Sequence, residues 1–217
     1  MIAIDGPAGA GKSTVAKRLA KILNASYLDT GAMYRALTLK ALRRGIDLER
    51  EDQLVELAKQ TSIDLENQPE GLKIFLDGED VSQEIRTLEV TNSTFYIARA
   101  PRIREIMVGW QRAIAGRKNI VAEGRDIGTV VFPNAYRKFY LDANIEERSL
   151  RRIKELREKG NQVDADKLLT ELKDRDRRDM TRSVGPLKKA DDAILIDSTF
   201  LTVDQVINEM LKYIKLS

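Results

Sequence analysis

The stretch MIAIDGPAGAGKSTVAKRLA, residues 1–20, decides the fold. Its centre is Gly6-x-x-x-x-Gly11-Lys12-Ser13. Before it, Ile2–Ile4 is short, apolar and partly β-branched, as a buried parallel strand is. After it, Val15, Leu19, Ile22 and Leu23 recur at helical spacing, which predicts a helix over Ser13–Leu23. A glycine-rich loop from strand to helix gathers several backbone N–H groups at one point. The helix dipole adds to them, so the place suits an anion. The loop from Gly6 through Pro7, Ala8, Gly9, Ala10, Gly11, Lys12 and Ser13 to Thr14 is therefore expected to cradle ATP or a related triphosphate. Lys12 has the reach for the terminal phosphates. The Ser13 hydroxyl suits Mg2+, held directly or through water.

Composition narrows the chemistry. The 217 residues suffice for one domain with an elaboration. There is no cysteine and no histidine, so disulfides, thiolate metal sites and imidazole catalysis are excluded. Carboxylates, Lys, Arg, hydroxyls and a bound metal must do the work. No apolar run is long enough to span a membrane and no signal-peptide pattern appears, so a cytoplasmic enzyme is expected. A net charge of +3 does not by itself indicate a nucleic-acid partner. Arginine is clustered: of 21, fifteen fall in Arg86–Arg125 and Arg148–Arg182, which suits fork-like recognition of phosphates and base edges.

Four further apolar runs read as strands: Tyr27–Leu28, Ile120–Ala122, Phe139–Leu141 and Ile194–Ile196. Helical patterns follow at Ala32–Arg44, Ile145–Lys159 and Val203–Leu216. The alternation predicts an α/β fold, a parallel sheet flanked by helices. Residues 61–100 break this rhythm. Ile63–Leu65 and Leu72–Leu76, with turns at Asn67–Gly71 and Asp77-Gly78, predict a small antiparallel insert. Helices near Glu89–Ala98 and Pro101–Ala115 lead back to the core, spanning 1–60 and 101–217. Around 146–182, two arginine-bearing helices predict a closing lid, with Arg148, Arg151 and Arg152 on one helix face.

Two clusters at strand ends are acceptor candidates. Leu28-Asp29-Thr30-Gly31-Ala32-Met33-Tyr34-Arg35 places Thr30 to cap a helix or touch a ligand, and Arg35 to reach a phosphate. Val121 to Thr129 sets an Arg125-Asp126 pair between glycines. No [Asn/Thr]-Lys-x-Asp or Asp-x-x-Gly run of a GTPase switch is present. Trp110, Tyr34 and the Lys188-Lys189 pair read as structural, and Gly45 as a helix stop.

The blocks GPAGAGKS, LDTGAMYR, EIRTLEVTN, APRIRE, EGRDIGTVVFP and RDRRDMTRSVGPL, in this order, resemble bacterial cytidylate kinases, nearly end to end. The resemblance implies a nucleoside monophosphate kinase fold of five parallel strands, with a monophosphate-binding insert and a lid. It implies a monomer that phosphorylates CMP and dCMP with ATP and Mg2+. It assigns the acceptor phosphate and its surroundings to Thr30, Arg35, Arg125 and Arg182, the cytosine to Arg104 and Asp126, and the sugar to Arg175 and Asp179. Lys12, Arg125, Arg148, Arg152 and Arg182 become the catalytic set. Two positions depart from the family: Phe95 stands where relatives often have Ser, and Glu123 where many have Asp. At the first, Ser93 or Thr94 substitutes, or Phe95 only packs. A kinase for another monophosphate such as UMP, and a regulatory or nucleic-acid-binding ATPase, are the alternatives.

Overall fold

The computed structural model describes residues 1–68, 71–116, 118–158, 160 and 162–214. The elements in chain order are β1 (Ile2–Asp5), α1 (Lys12–Ile22), β2 (Ser26–Asp29), α2 (Thr30–Arg43), α3 (Glu51–Lys59), β3 (Ile63–Gln68), β4 (Gly71–Leu76) and β5 (Glu79–Asp80). They continue with α4 (Leu88–Arg99), α5 (Pro101–Ala115), β6 (Ile120–Gly124), β7 (Arg137–Asp142), α6 (Ile145–Glu158), α7 (Ala165–Thr181), β8 (Ile194–Asp197) and α8 (Val203–Ile214). Five strands form a sheet in the order β2-β6-β1-β7-β8, and β3-β4-β5 form a separate sheet. This is the α/β architecture expected from the alternating pattern.

The chain divides into two compact units, Met1–Ala25 with Ile120–Ser217, and Ser26–Asn119. In the first unit β1 runs parallel to β6 and β7, with Asp5 opposite Gly124 and Tyr140. β8 runs parallel to β7. Ile4, Val121, Ala122, Phe139 and Leu141 are almost fully buried, so strands covered on both faces read as continuous apolar runs. The carboxyl ends of β1, β6 and β7 share one edge, where ligands of parallel sheets bind.

In the second unit β3 and β4 are antiparallel, and Asp77 and Gly78 turn the chain with φ of 49° and 86°. The helix stop at Gly45 is a Schellman motif: Ile46 N–H donates to Ala41 O and Gly45 N–H to Leu42 O, both at 3.0 Å.

Several local expectations are corrected. The cap of α2 is Asp29, not Thr30; its Oδ1 accepts from Ala32 N at 2.8 Å, while Thr30 is the first helical residue. Asn67 belongs to β3 and not to a turn. Its side-chain amide accepts from Tyr27 N and donates to Tyr27 O, taking the place of a strand neighbour. Of the rest of that proposed turn, Gln68 ends β3, Gly71 begins β4, and 69–70 lie outside the described residues, as do Lys159 and Leu216 at two proposed helix ends. The helix α3 was not anticipated, although its buried Leu54, Val55 and Ala58 have helical spacing. Trp110 is half-buried beside the buried Ile103 and Met107. Tyr34 is buried, and Lys188 and Lys189 are exposed.

Candidate active site

The phosphate loop is shaped by glycine. Gly6 has φ 150°, and a Cβ there would lie 2.0 Å from Leu141 O. Gly11, with φ 89°, precedes α1 and offers no side-chain cap. No side chain caps α1 and its first turn holds no acidic residue, so the N–H groups that a helix start leaves without intrahelical partners are available to an anion. Lys12 is 5% exposed, and its Nζ donates to Pro7 O at 2.7 Å. Burial, with Arg125 and Arg175 nearby, pulls the Lys12 ammonium down to about 7, against the pull of Glu123 and Asp5. A desolvated cation of this kind is poised to take an anionic partner.

Behind the loop, α6 supplies a brace. Arg148 is buried, and its Nε donates to Ala143 O and its Nη1 to Ala8 O at 3.0 Å. The same Nη1 meets Asp176 Oδ2 of α7 at 2.5 Å. Arg151 donates to Ser198 Oγ and O, and Ser198 Oγ donates to Ala10 O at 3.2 Å. Arg148 and Arg151 thus join the loop. Arg152 instead donates to Glu155 on its own helix. Ser198 and Asp176 were not singled out in the sequence. Their only signal is a polar residue just after a strand end and an acid within an arginine-rich helix.

Next to the loop, Arg125 and Asp126 follow β6. Arg125 Nε donates to Asp179 Oδ2 at 2.8 Å. Burial tends to raise the Asp179 carboxyl, but Arg125, Arg175 and Arg182 outweigh it and hold it below the usual range. Burial likewise works against the Arg125 guanidinium, and Asp179, Glu123 and Asp176 overcome it and raise it. Arg182 Nη2 lies 3.6 Å from Asp126 Oδ1, with both side chains 7% exposed, and its Nε donates to Gly185 O. Lys12, Arg125, Asp126, Arg175, Asp179 and Arg182 therefore form one electrostatic cluster at the carboxyl edge of the sheet. Glu123, buried in β6, belongs to it through Lys12 and Arg125.

In the second unit, Thr30 is buried at the start of α2. Arg35 Nη2 lies 3.1 Å from Asp29 Oδ2, and the buried Arg35 Nε has no hydrogen-bond partner among the described residues. Arg104 on α5 is 2% exposed, donates to Ala98 O, and sits 5.7 Å from the Tyr34 ring centroid. Phe95 packs edge-on against Tyr96, with the Arg99 guanidinium 5.3 Å from its ring centroid. Thr94 Oγ1 donates to Val90 O within α4.

An anion cradle, a buried lysine and an arginine cluster without histidine can neutralise and align transferring phosphates. The family model of cytidylate kinase matches residues 2–216. The chain belongs to the cytidylate kinase family. A cytidylate kinase of Caldanaerobacter subterraneus subsp. tengcongensis is 51% identical over 214 residues, covering 99% of this chain and 94% of the relative. A cytidylate kinase of Vibrio cholerae is 47% identical over 215 residues, covering 99% and 96%. An uncharacterized protein from Eubacterium ventriosum, 14% identical with a TM-score of 0.53 over 100% of this chain and 98% of that one, shares the fold. Among the described residues of this family member, no helix is long and apolar enough to cross a membrane.

Proposed function

We infer that this family member transfers the γ-phosphoryl group of ATP to CMP, and also to dCMP, giving CDP or dCDP and ADP. One observation carries the reading beyond family membership. The Lys12, Arg125, Asp126 and Arg182 cluster includes the first residue of α1, where a helix leaves N–H groups without intrahelical partners. A bond forms between an acceptor phosphate oxygen and the γ-phosphorus. The bond to the β,γ-bridging oxygen breaks, and its electron pair leaves with ADP. That acceptor oxygen is already anionic at neutral pH, so positioning and charge neutralisation suffice and no general base is needed.

Gly6 to Thr14 hold the triphosphate, and Lys12 follows the charge on its terminal phosphates. Arg125 and Arg182, with Thr30 and Arg35, serve the acceptor phosphate. Arg175 and Asp179 hold the sugar. Arg148 and Arg152 belong to a lid over about 146–182, and about 61–100 forms the monophosphate-binding insert. Ser13 and Glu123 offer hard oxygen donors that fit Mg2+, by direct contact or through water. When bound with ATP, Mg2+ neutralises charge on the β- and γ-phosphates. A cytoplasmic monomer acting in pyrimidine nucleotide metabolism fits this reading.

Cytosine presents an amino donor at N4 and acceptors at N3 and O2. Asp126 accepts from the first and Arg104 donates to the others. Uracil reverses the polarity at positions 3 and 4, leaving buried polar groups unpaired. Asp126→Asn is therefore expected to narrow the CMP-to-UMP ratio of kcat/KM by about 10–100-fold, in line with the discrimination of one good polar pair. Steady-state rates on both nucleotides check this; an unchanged ratio removes Asp126 from base reading.

A further inference from the structure

Asp5 ends β1 and is 4% exposed. It directly precedes the phosphate loop, yet its side chain serves a different segment. Oδ1 accepts from Ile127 N and Oδ2 from Gly128 N, both at 2.7 Å. These two N–H groups immediately follow Asp126. The Asp126 carbonyl is held too, accepting from Val130 N at 2.9 Å and Val131 N at 3.1 Å. The result is a wide helical turn over 127–131, a form that recurs at functional sites. Gly128 leaves room for the grip, and a side chain there would press on it. A Cβ there would come within 3.1 Å of Lys138 Cδ and 3.3 Å of Asp5 Oδ2.

Burial pushes the Asp5 carboxyl up to about 6, with Asp126 adding to the rise and the two backbone bonds and Lys12 opposing it. An apolar residue would fill the end of β1 without that penalty but would leave two buried N–H groups unpaired.

We propose that Asp5 is a positioning residue for acceptor specificity: by holding the backbone of Ile127 and Gly128, it sets where Asp126 presents its carboxylate to the base. The inference rests on Asp126 reading the acceptor base. Lys12 lies near Asp5 as well, so a role on the ATP side is the competing account, and the two differ in which substrate feels the change.

The test is steady-state kinetics of Asp5→Asn, Gly128→Ala and Asp126→Asn with CMP and UMP, plus KM for ATP at saturating CMP and a thermal melt of each. In Asp5→Asn the side-chain amide turns an N–H toward a backbone N–H. The CMP-to-UMP ratio is expected to fall about tenfold, as for a misplaced base contact, with KM for ATP within about twofold of the parent. Gly128→Ala keeps the Asp5 charge and is expected to shift the ratio the same way, so it decides the matter if Asp5→Asn does not fold. A parental ratio in both variants, or a KM for ATP that rises as much as that for CMP, overturns the proposal. If Asp126→Asn shifts the ratio and the other two do not, only the role of Asp5 fails. If Asp126→Asn leaves the ratio unchanged, base reading by Asp126 fails and the inference goes with it.

Discussion

Replacing Lys12 by alanine is expected to lower kcat by about 10²–10³-fold, as removal of one preorganised charge partner does, with the fold intact. The ammonium is buried and donates a hydrogen bond to Pro7 O. Its acidity sits near 7 instead of 10.5. A lysine lowered in this way contributes stability that is present above pH 10.5 and lost as pH falls through about 7. At neutral pH its charge therefore opposes folding, and alanine does not destabilise through the loss of that charge. Polyphosphate reverses the balance, because an adjacent anion favours the ammonium form. Binding of Mg-ATP above neutral pH should accordingly take up protons, and the uptake should fall as the pH drops and Lys12 is already charged before binding. Calorimetry in two buffers of different ionisation enthalpy measures it. No uptake above neutral pH, or a Lys12→Ala enzyme within tenfold of the parent in kcat, contradicts the role.

Gly6→Ala is expected to cost more than about 4 kcal/mol, the range reserved for gross steric conflict. At this chain length that lowers Tm by at least about 10 °C. The added Cβ would lie 2.0 Å from Leu141 O, a backbone atom of the strand paired with β1, and φ is 150°. Neither strand can yield without breaking the register of Asp5 with Tyr140. Gly45→Ala is the control. Its φ is 63°, but nothing lies within 4 Å, so about 1 kcal/mol of conformational cost is expected. Equal melting shifts for the two would show that close packing at Gly6 is not what glycine provides.

The strand–loop–helix of residues 1–23 was legible because glycine spacing and apolar periodicity are both local. The five strands of the parallel sheet were legible for the same reason, each being a short apolar run between helical patterns. Pairings across distance were not. Arg125 and Asp179 are 54 residues apart, and nothing in either segment announces a 2.8 Å bond between them. Asp5 was not singled out, because its partners are backbone N–H groups 122 and 123 residues away. Ser198 was invisible for a related reason, since its bond to Ala10 O depends on where β8 ends. Asp29 outcompeted Thr30 for the cap because it stands one position earlier, with its carboxylate within reach of Ala32 N. Asn67 looked like a turn residue by type and proved to be a strand residue by partner.

Phosphoryl transfer to CMP is read from ADP formation from Mg-ATP with the purified protein, offered CMP, dCMP, UMP, AMP, GMP or no acceptor. Fast turnover with CMP and dCMP and slow turnover with the others is expected. Equal rates with UMP would contradict the base-reading roles of Asp126 and Arg104, and ADP formation independent of any acceptor would contradict the kinase itself.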